Sequence, residues 1–180
     1  FLEATDAEKI LLNFGLTVNF DIKGRQLTVT RSKLSLLDLM VLDSTISLSN
    51  LRIVDIAIPA TAYSLPRTEQ QLVGDLDRFG LTLEDIGFVK VAADFAATPP
   101  QTGRQLRNDA VTIMRAKAAQ ASSPAGKAGY TAIADFVRDS GTLRIEAEPQ
   151  QKVSVREAFP LLAVSLDFAA HVAGFRVTHE

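Results

Sequence analysis

The feature that most constrains this sequence is an alternation of apolar and polar residues close to its beginning. From residue 16 to residue 22 every second side chain is apolar, which is typical of a β-strand with one buried face. Residues 23–25 (Lys-Gly-Arg) indicate a tight turn, and the alternation resumes after it. The pattern therefore predicts an antiparallel meander with one apolar face. The side chains of that face are Leu16, Val18, Phe20, Leu27, Val29, Leu34, Leu36, Ile46 and Leu48.

Turn and loop signals divide the rest of the predicted meander. Residues 43–44 (Asp-Ser) indicate a second turn, after which the alternation continues through Leu51 to Ile53. Pro59 and Pro66 predict a loop that ends the meander, because proline cannot donate a hydrogen bond to a sheet ladder.

A helix that ends in glycine and passes directly into a strand is indicated three times, at Gly15, Gly80 and Gly174. Capping-box spacing at Thr5 and Thr68 indicates where the first two of these helices begin. Glycine adopts the left-handed conformation at little steric cost, so we expect a positive φ at all three glycines. The recurrence favours three ordinary glycine-capped helices over a duplicated helix–strand unit.

The second half of the sequence is predicted to be more helical. We expect helices over residues 88–97, 103–120 and 130–138, an exposed loop over residues 122–129 and a strand over residues 143–147. The helices are predicted from the spacing of apolar residues, and the loop is predicted from its density of Gly, Pro and small residues.

The stretch from residue 161 to residue 172 fits both a strand and a helix. Its many alanines favour a helix, because alanine has the highest helix propensity. Capping-box spacing from Ser154 to Glu157 precedes this stretch, and residues 175–177 predict a terminal strand.

These elements predict a single α+β domain over residues 1–180, in which a mainly antiparallel sheet packs against several helices. The 180 residues, 47% of them hydrophobic, are enough to build a sizeable core. Because the sequence begins with Phe1 rather than Met, we expect it to be a segment of a longer chain.

Composition excludes several kinds of site and partner. The sequence has no cysteine, which excludes disulfides, thiol catalysis and thiolate metal ligands. Its two histidines, His171 and His179, are too few for a zinc or iron site, so we expect no metal and no cofactor. A net charge of −2 argues against nucleic acid, and no apolar run is long enough for a transmembrane segment.

The densest acidic cluster comprises Asp75, Asp77, Glu84 and Asp85. Paired carboxylates can perform acid–base catalysis when one of them is buried and its pKa is raised. Because these four residues flank the expected turn at Gly80, we predict that they are exposed, and we assign no catalytic residue.

Three arginines, Arg104, Arg107 and Arg115, occupy adjoining parts of the polar side of the expected long helix. Such a cluster can meet phosphate or anionic lipid headgroups, but the sequence favours a solvated helix face. The sequence contains neither a phosphate-binding glycine loop nor a Gly-x-Ser-x-Gly nucleophile motif.

The apolar face of the meander can have one of two roles. It is either covered by helices as ordinary core, or it forms a groove for an apolar ligand or partner. We expect core, because the sequence contains enough amphipathic helix to cover one face of a sheet. Phe20, Val29, Leu36 and Leu48 should then be buried against residues such as Leu106, Ile113 and Phe136.

In three segments, residues 135–149, 81–97 and 174–178, the sequence resembles uncharacterised exported proteins of alphaproteobacteria. Residues 135–149 (DFVRDSGTLRIEAEP) resemble a block in which a short helix is followed by a Gly-Thr-Leu strand that closes on Ala-x-Pro. Residues 81–97 and 174–178 are similar to two further parts of those proteins. Residues 150–152 (Gln-Gln-Lys) stand where that family has a second proline. The resemblance implies an envelope location and no known activity.

We therefore predict a non-catalytic, envelope-associated module, periplasmic or otherwise exported, that binds a protein or an apolar small molecule. The alternative is a hydrolase-type enzyme whose site is assembled from scattered polar residues. A deep pocket with convergent polar groups would favour the enzyme, whereas an exposed apolar patch or an elongated groove would favour the binding module.

Overall fold

The protein is described here by a computed structural model that covers residues 12–36, 39–58 and 67–180. Within these residues the chain forms six strands and five helices. The strands are β1 (Leu12–Asp21), β2 (Gln26–Leu36), β3 (Met40–Ile58), β4 (Arg67–Asp85), β5 (Gly141–Ala147) and β6 (Phe175–His179). The helices are α1 (Phe88–Ala96), α2 (Gly103–Gln120), α3 (Pro124–Asp139), α4 (Val155–Val164) and α5 (Leu166–Ala173).

All six strands belong to one sheet, in which they lie side by side in the order of the chain, each antiparallel to its neighbours. Helices α1–α3 connect β4 to β5, and α4 and α5 connect β5 to β6. The structure thus confirms the α+β class and the antiparallel meander.

Strand register brings the apolar residues of all six strands onto one face, which we call the apolar face. Residues paired across antiparallel strands point their side chains to the same side, so each row of pairs forms a rung that crosses the sheet. The first rung joins Phe20, Leu27, Leu48 and Leu76; the second Val18, Val29, Ile46, Phe79, Ala147 and Phe175; the third Leu16, Ser32, Ser44, Leu81, Ile145 and Val177; the fourth Phe14, Leu34, Leu42, Leu83, Leu143 and His179; and the fifth Leu12, Leu36, Met40, Asp85 and Gly141.

The helices cover only the end of the apolar face that is formed by β4, β5 and β6. Helices α4 and α5 contribute Ala158 and Ala169 to a buried cluster that also holds Phe175 of β6. Helix α3 contributes Tyr130 and Phe136 to a second cluster. Its sheet residues are Leu143 and Val177, and Leu83 packs against them. The hydrophobic core therefore lies over one half of the sheet.

Polar caps fix where the covering helices begin. The Thr102 hydroxyl accepts a hydrogen bond from the Gln105 amide and the Gln105 side chain accepts one from the Thr102 amide, which forms a capping box at the start of α2. At the start of α3, the Ser123 hydroxyl accepts from the Gly126 amide. Asp167 of α5 accepts hydrogen bonds from the amides of Ser122 and Ser123 and from the Ser123 hydroxyl. Helix α5 is thereby tied to the start of α3.

Most of the elements predicted for the second half of the chain are confirmed. Helices α1 and α2 and strands β5 and β6 lie where the sequence indicates them. Residues 161–172 are helical, and Ser165 separates α4 from α5. Gly174 ends α5 with a φ of 64°, in the left-handed region.

Two predicted helices are wrong. Phe14 and Gly15 lie in β1, and the earlier part of that predicted helix, up to residue 11, lies outside the described residues. Residues 68–80 lie in β4, which pairs with β3 along nearly its whole length. This continuous pairing outweighs the weak local signal of capping-box spacing. Consequently neither Gly15 nor Gly80 caps a helix or has a positive φ.

The turn predicted at residues 43–44 is also wrong. Both residues lie inside β3, where Asp43 pairs with Lys33 and Ser44 pairs with Ser32. Strand β3 instead begins at Met40, which pairs with Leu36 of β2. Polar residues with high turn propensity are tolerated here because Asp43 lies on the face opposite the core.

Part of the loop predicted over residues 122–129 is helix. Helix α3 begins at Pro124, with Ser123 as its N-cap. Proline is favoured in the first helical turn because the N–H that it lacks would have no partner there. Pro59 and Pro66, predicted to lie in a loop, fall outside the described residues.

We predict that Gly174→Ala destabilises the protein by about 1–3 kcal/mol, because a Cβ is disfavoured in the left-handed region and would lie 2.6 Å from the Glu148 carbonyl oxygen. Gly15→Ala is the matched control, since nothing lies within 4 Å of its Cβ position. Urea unfolding of the two variants measures the difference. Equal stabilities would contradict the conformation assigned to Gly174.

We predict that Asp167→Asn destabilises the protein near neutral pH, and that the difference from wild type shrinks as the pH falls. Hydrogen bonds from Ser123 and Ser122 hold the pKa of Asp167 below its ordinary value of 3.8. The ionised group therefore contributes stability above pH 3.8, and the contribution is lost as the pH falls through the lower pKa of the folded state.

Urea unfolding between pH 7 and pH 2.5 measures this effect, with Glu84→Gln, an exposed carboxyl on β4, as the control. A stability difference between wild type and Asp167→Asn that does not change with pH would contradict the proposed role of the carboxylate.

Leucines at the two ends of the apolar face should respond differently to truncation. Leu143→Ala should cost about 2–5 kcal/mol, because that side chain is only 8% exposed and its removal leaves a cavity. Leu16→Ala should cost well under half as much, because Leu16 is already 54% exposed. Urea unfolding distinguishes the two, and a large loss for Leu16→Ala would contradict the exposed position of Leu16.

Candidate functional site

The candidate functional site is the part of the apolar face that lies beyond the covering helices. We call it the open half and define it as the side chains that β1 and β2 contribute to the five rungs. On β1 these side chains are Leu12, Phe14, Leu16, Val18 and Phe20, which are 48–64% exposed.

Exposure changes steadily along a single rung. On the second rung Val18 is 48% exposed, Val29 and Ile46 are half-buried, and Ala147 and Phe175 are only 2% exposed. The open half is therefore the part of the apolar face that continues beyond the covering helices, away from the buried core. Scattered exposed apolar residues are normal on a protein surface, whereas a contiguous exposed apolar patch is uncommon.

The dimensions of the open half follow from strand geometry. From Leu12 to Phe20, β1 extends over roughly 27 Å, at about 3.4 Å per residue. Neighbouring strands lie about 4.8 Å apart, so that β1 and β2 with the adjoining β3 present a floor roughly 10 Å wide. The apolar floor is thus long and narrow.

A shallow groove of about 580 Å³ lies over β1 and β2. Most of the residues that line it belong to the face opposite the apolar face, namely Asn13, Gly15, Thr17, Arg31, Lys33 and Ser35. Gly15 has no side chain, and nothing lies within 4 Å of its Cβ position. The groove is therefore a polar depression on the other side of the sheet from the open half.

The expectation that helices cover the whole apolar face is wrong for β1. Phe20 is 51% exposed and Ile113 of α2, expected to cover it, is itself 53% exposed. Phe136 is buried, but in the cluster that holds Leu143. Leu48 does pack against the core, whereas Val29 and Leu36 are half-buried.

The reason is the position of the helices along the chain. Within the described residues, all five helices follow β4, and they connect strands at the β4–β6 end of the sheet. The sequence already indicates this arrangement, because it contains three successive strand patterns with no helix between them. The shared apolar face of such strands has no helix close by in the chain that can cover it.

The acidic cluster divides into two groups along β4, one in the middle of the strand and one at its C-terminal end. Asp75 accepts a hydrogen bond from Asn50, and Asp77 accepts one from Ser49. Asp85, ten residues beyond Asp75, is the last residue of the strand. The structure therefore does not bring the four carboxylates together.

Asp85 is the member of the acidic cluster for which the predicted exposure is wrong. It is 7% exposed, and its Oδ1 accepts hydrogen bonds from the amides of Gly87 and Val89 at the start of α1. No described residue donates a hydrogen bond to its Oδ2. The amides of residues 86–88 donate to the Leu39 carbonyl oxygen, so that this junction joins the start of α1 to the chain just before β3.

The three arginines of α2 do not converge on a common site. Arg107 donates hydrogen bonds to the carbonyl oxygens of Val137 and Arg138, which closes the C-terminal end of α3. Arg115 lies 3.9 Å from a carboxylate oxygen of Asp135. Arg104 is exposed. Arg107 thus has a structural role that the sequence pattern did not indicate.

The histidines lie apart from each other. His171 is exposed on α5, whereas the Nε2 atom of His179 lies 2.6 Å from the Ser140 carbonyl oxygen. No group of three or more potential metal ligands occurs among the residues that the structure describes. In the same part of the chain, no helix has the length and apolar character needed to cross a membrane.

A cavity of about 690 Å³ lies beside Arg78–Gly80 of β4 and the end of β5, and an ion pair lines it. The Arg78 Nη2 and Glu148 Oε1 atoms are 2.9 Å apart. This contact raises the pKa of Arg78 and lowers the pKa of Glu148. Because both side chains are exposed and paired with each other, the cavity has the character of a solvated surface cleft.

No curated protein and no solved structure matches the chain. A family model described as an uncharacterised protein matches residues 14–180, which include all of β2–β6 and the five helices. The chain belongs to this family of uncharacterised proteins.

Proposed function

We propose that the protein is a non-catalytic binding module, and that its open half holds an elongated apolar molecule such as an acyl chain. One observation carries the proposal: five large apolar side chains on β1 are about half exposed, on rungs that continue directly into the core. Fully burying an exposed side chain of this kind contributes about 1.5–3 kcal/mol, so covering the exposed half of one contributes about half as much. A ligand that covers several of them gains several kcal/mol of hydrophobic binding energy.

The chemistry of the floor indicates what kind of molecule it accepts. On the β1 and β2 portions of the five rungs, Ser32 is the single polar residue and no residue is charged. A ligand that lies along this floor is therefore apolar over the contacted length. A long, narrow floor fits an extended chain better than a compact molecule.

The same surface also bears on where such a protein would act. The resemblance of residues 81–97, 135–149 and 174–178 to exported alphaproteobacterial proteins supports an envelope location, periplasmic or otherwise exported. Apolar chains are abundant at an envelope, and a module with an open apolar floor can shield them from water. Envelope location is accordingly part of the proposal.

The test is a titration of the full chain with two fluorescent probes, a fatty acid and the neutral diphenylhexatriene. We expect both probes to bind, because contact with the floor requires no charge. The double variant Leu16→Asn with Val18→Thr should raise the Kd of both probes about tenfold, which corresponds to about 1.4 kcal/mol. The variant should unfold in urea much as the wild type does, since both residues are already exposed.

The matched control is Ile113→Asn with Val164→Thr, which makes similar changes at exposed positions on the helices. We expect this control to bind both probes with the wild-type Kd. If the control weakens binding as much as the open-half variant, or if neither probe binds the wild type, the proposed function is wrong.

A further inference from the structure

The two edges of the sheet are of different character. Strand β6 is a short edge of five residues, beside which α3 packs through Gly129 against Val177. Strand β1 is twice as long and no described residue pairs with its outer side. Natural sheet edges are usually shortened, covered, or interrupted by proline or lysine, because an unpaired edge recruits another strand.

Among the described residues, none of these protective devices is found at β1. Its ten residues include neither proline nor lysine, and their single charge is Asp21 at the end. The register shift between β1 and β2 places the extra residue, Thr30, on β2, so that β1 itself runs without a bulge. The outer side of β1 is therefore a regular, uncharged edge.

The pattern of β1 is complementary to itself. In an antiparallel pair of two β1 strands centred on Leu16, Leu12 lies opposite the partner subunit's Phe20, and Phe14 lies opposite the partner subunit's Val18. All these side chains lie on the apolar face. On the polar face Asn13 lies opposite the partner subunit's Asn19. Because residues 12–20 carry no charge, this pairing opposes no like charges.

We propose that two copies of this chain pair antiparallel through β1, about a two-fold axis at Leu16 that is perpendicular to the sheet. Such an axis gives an isologous interface, in which the same strand is used by both subunits. It also keeps the apolar faces of both subunits on the same side. The pairing thus converts two six-stranded sheets into one continuous sheet of twelve strands.

The dimer completes the site in a way that one subunit does not. The two open halves become neighbours in the middle of the joined sheet, and the covering helices of each subunit stand at the two outer ends. The result is a trough with an apolar floor and two helical walls, to which each subunit contributes half. This use of the trough rests on the proposed function, whereas the pairing of the β1 strands does not.

The test uses charge at positions 13 and 19, which face away from the apolar floor. We expect the wild type to have twice its monomer mass of 19.5 kDa by native mass spectrometry and light scattering. In the double variant Asn13→Glu with Asn19→Glu, each new carboxylate lies opposite a carboxylate of the partner subunit, at two places in the interface. This repulsion should raise the dimer Kd about tenfold. The matched double variant Asn13→Lys with Asn19→Glu opposes unlike charges twice and should remain dimeric.

Mixing provides a second control within the same experiment. A variant with Asn13→Lys and Asn19→Lys should weaken the dimer alone and restore it when mixed with the double-glutamate variant. A monomeric wild type, or a dimer that none of these charges affects, overturns the pairing. If the wild type is a monomer that binds the fluorescent probes, the pairing is wrong and the proposed function is supported. If the wild type is a dimer that binds neither probe, the pairing is supported and the proposed function is wrong.

Discussion

Each rung of the apolar face crosses several strands of the sheet, and helices cover only its β4–β6 end. The fold depends on that cover, because water excluded from Leu143, Ala147, Phe175 and Val177 is the main source of stability that this sheet has. The same register that places these residues under the helices places Phe14 and Leu16 in solvent. Core and open half are therefore consequences of one alternating pattern, and they differ only in where the helices are attached.

Periodicity was the part of the sequence that predicted structure well. Alternation over residues 16–22 predicted β1 because a strand with one apolar face leaves a pattern that few other structures produce. The long helix α2 was equally predictable from its apolar spacing. Capping-box spacing at Thr68 indicates a helix that does not form. The pairing of β4 with β3 along nearly its whole length outweighs a local signal of three or four residues.

The candidate site was harder to predict than the fold. Phe20 and Leu48 belong to the same rung and look alike in the sequence, yet only Leu48 packs against the core. The difference is set by tertiary position, since Leu48 lies two strands closer to the helices. Conversely, the charged clusters that suggested chemistry have structural roles: Asp85 binds the first amides of α1, and Arg107 binds the last carbonyls of α3.

The order of elements along the chain has a consequence for synthesis on the ribosome. Strands β1–β4 are complete at Asp85, and the last of the helices that cover the β4–β6 end of the apolar face ends at Ala173, 88 residues later. At about 5–20 residues per second, the apolar face of the meander emerges about 4–18 seconds before its last covering helix. During that interval the nascent chain presents long unprotected strands, which are the substrates that holding chaperones bind. The protein is thus one whose yield in a cell should depend on the supply of such chaperones more than its folded stability suggests.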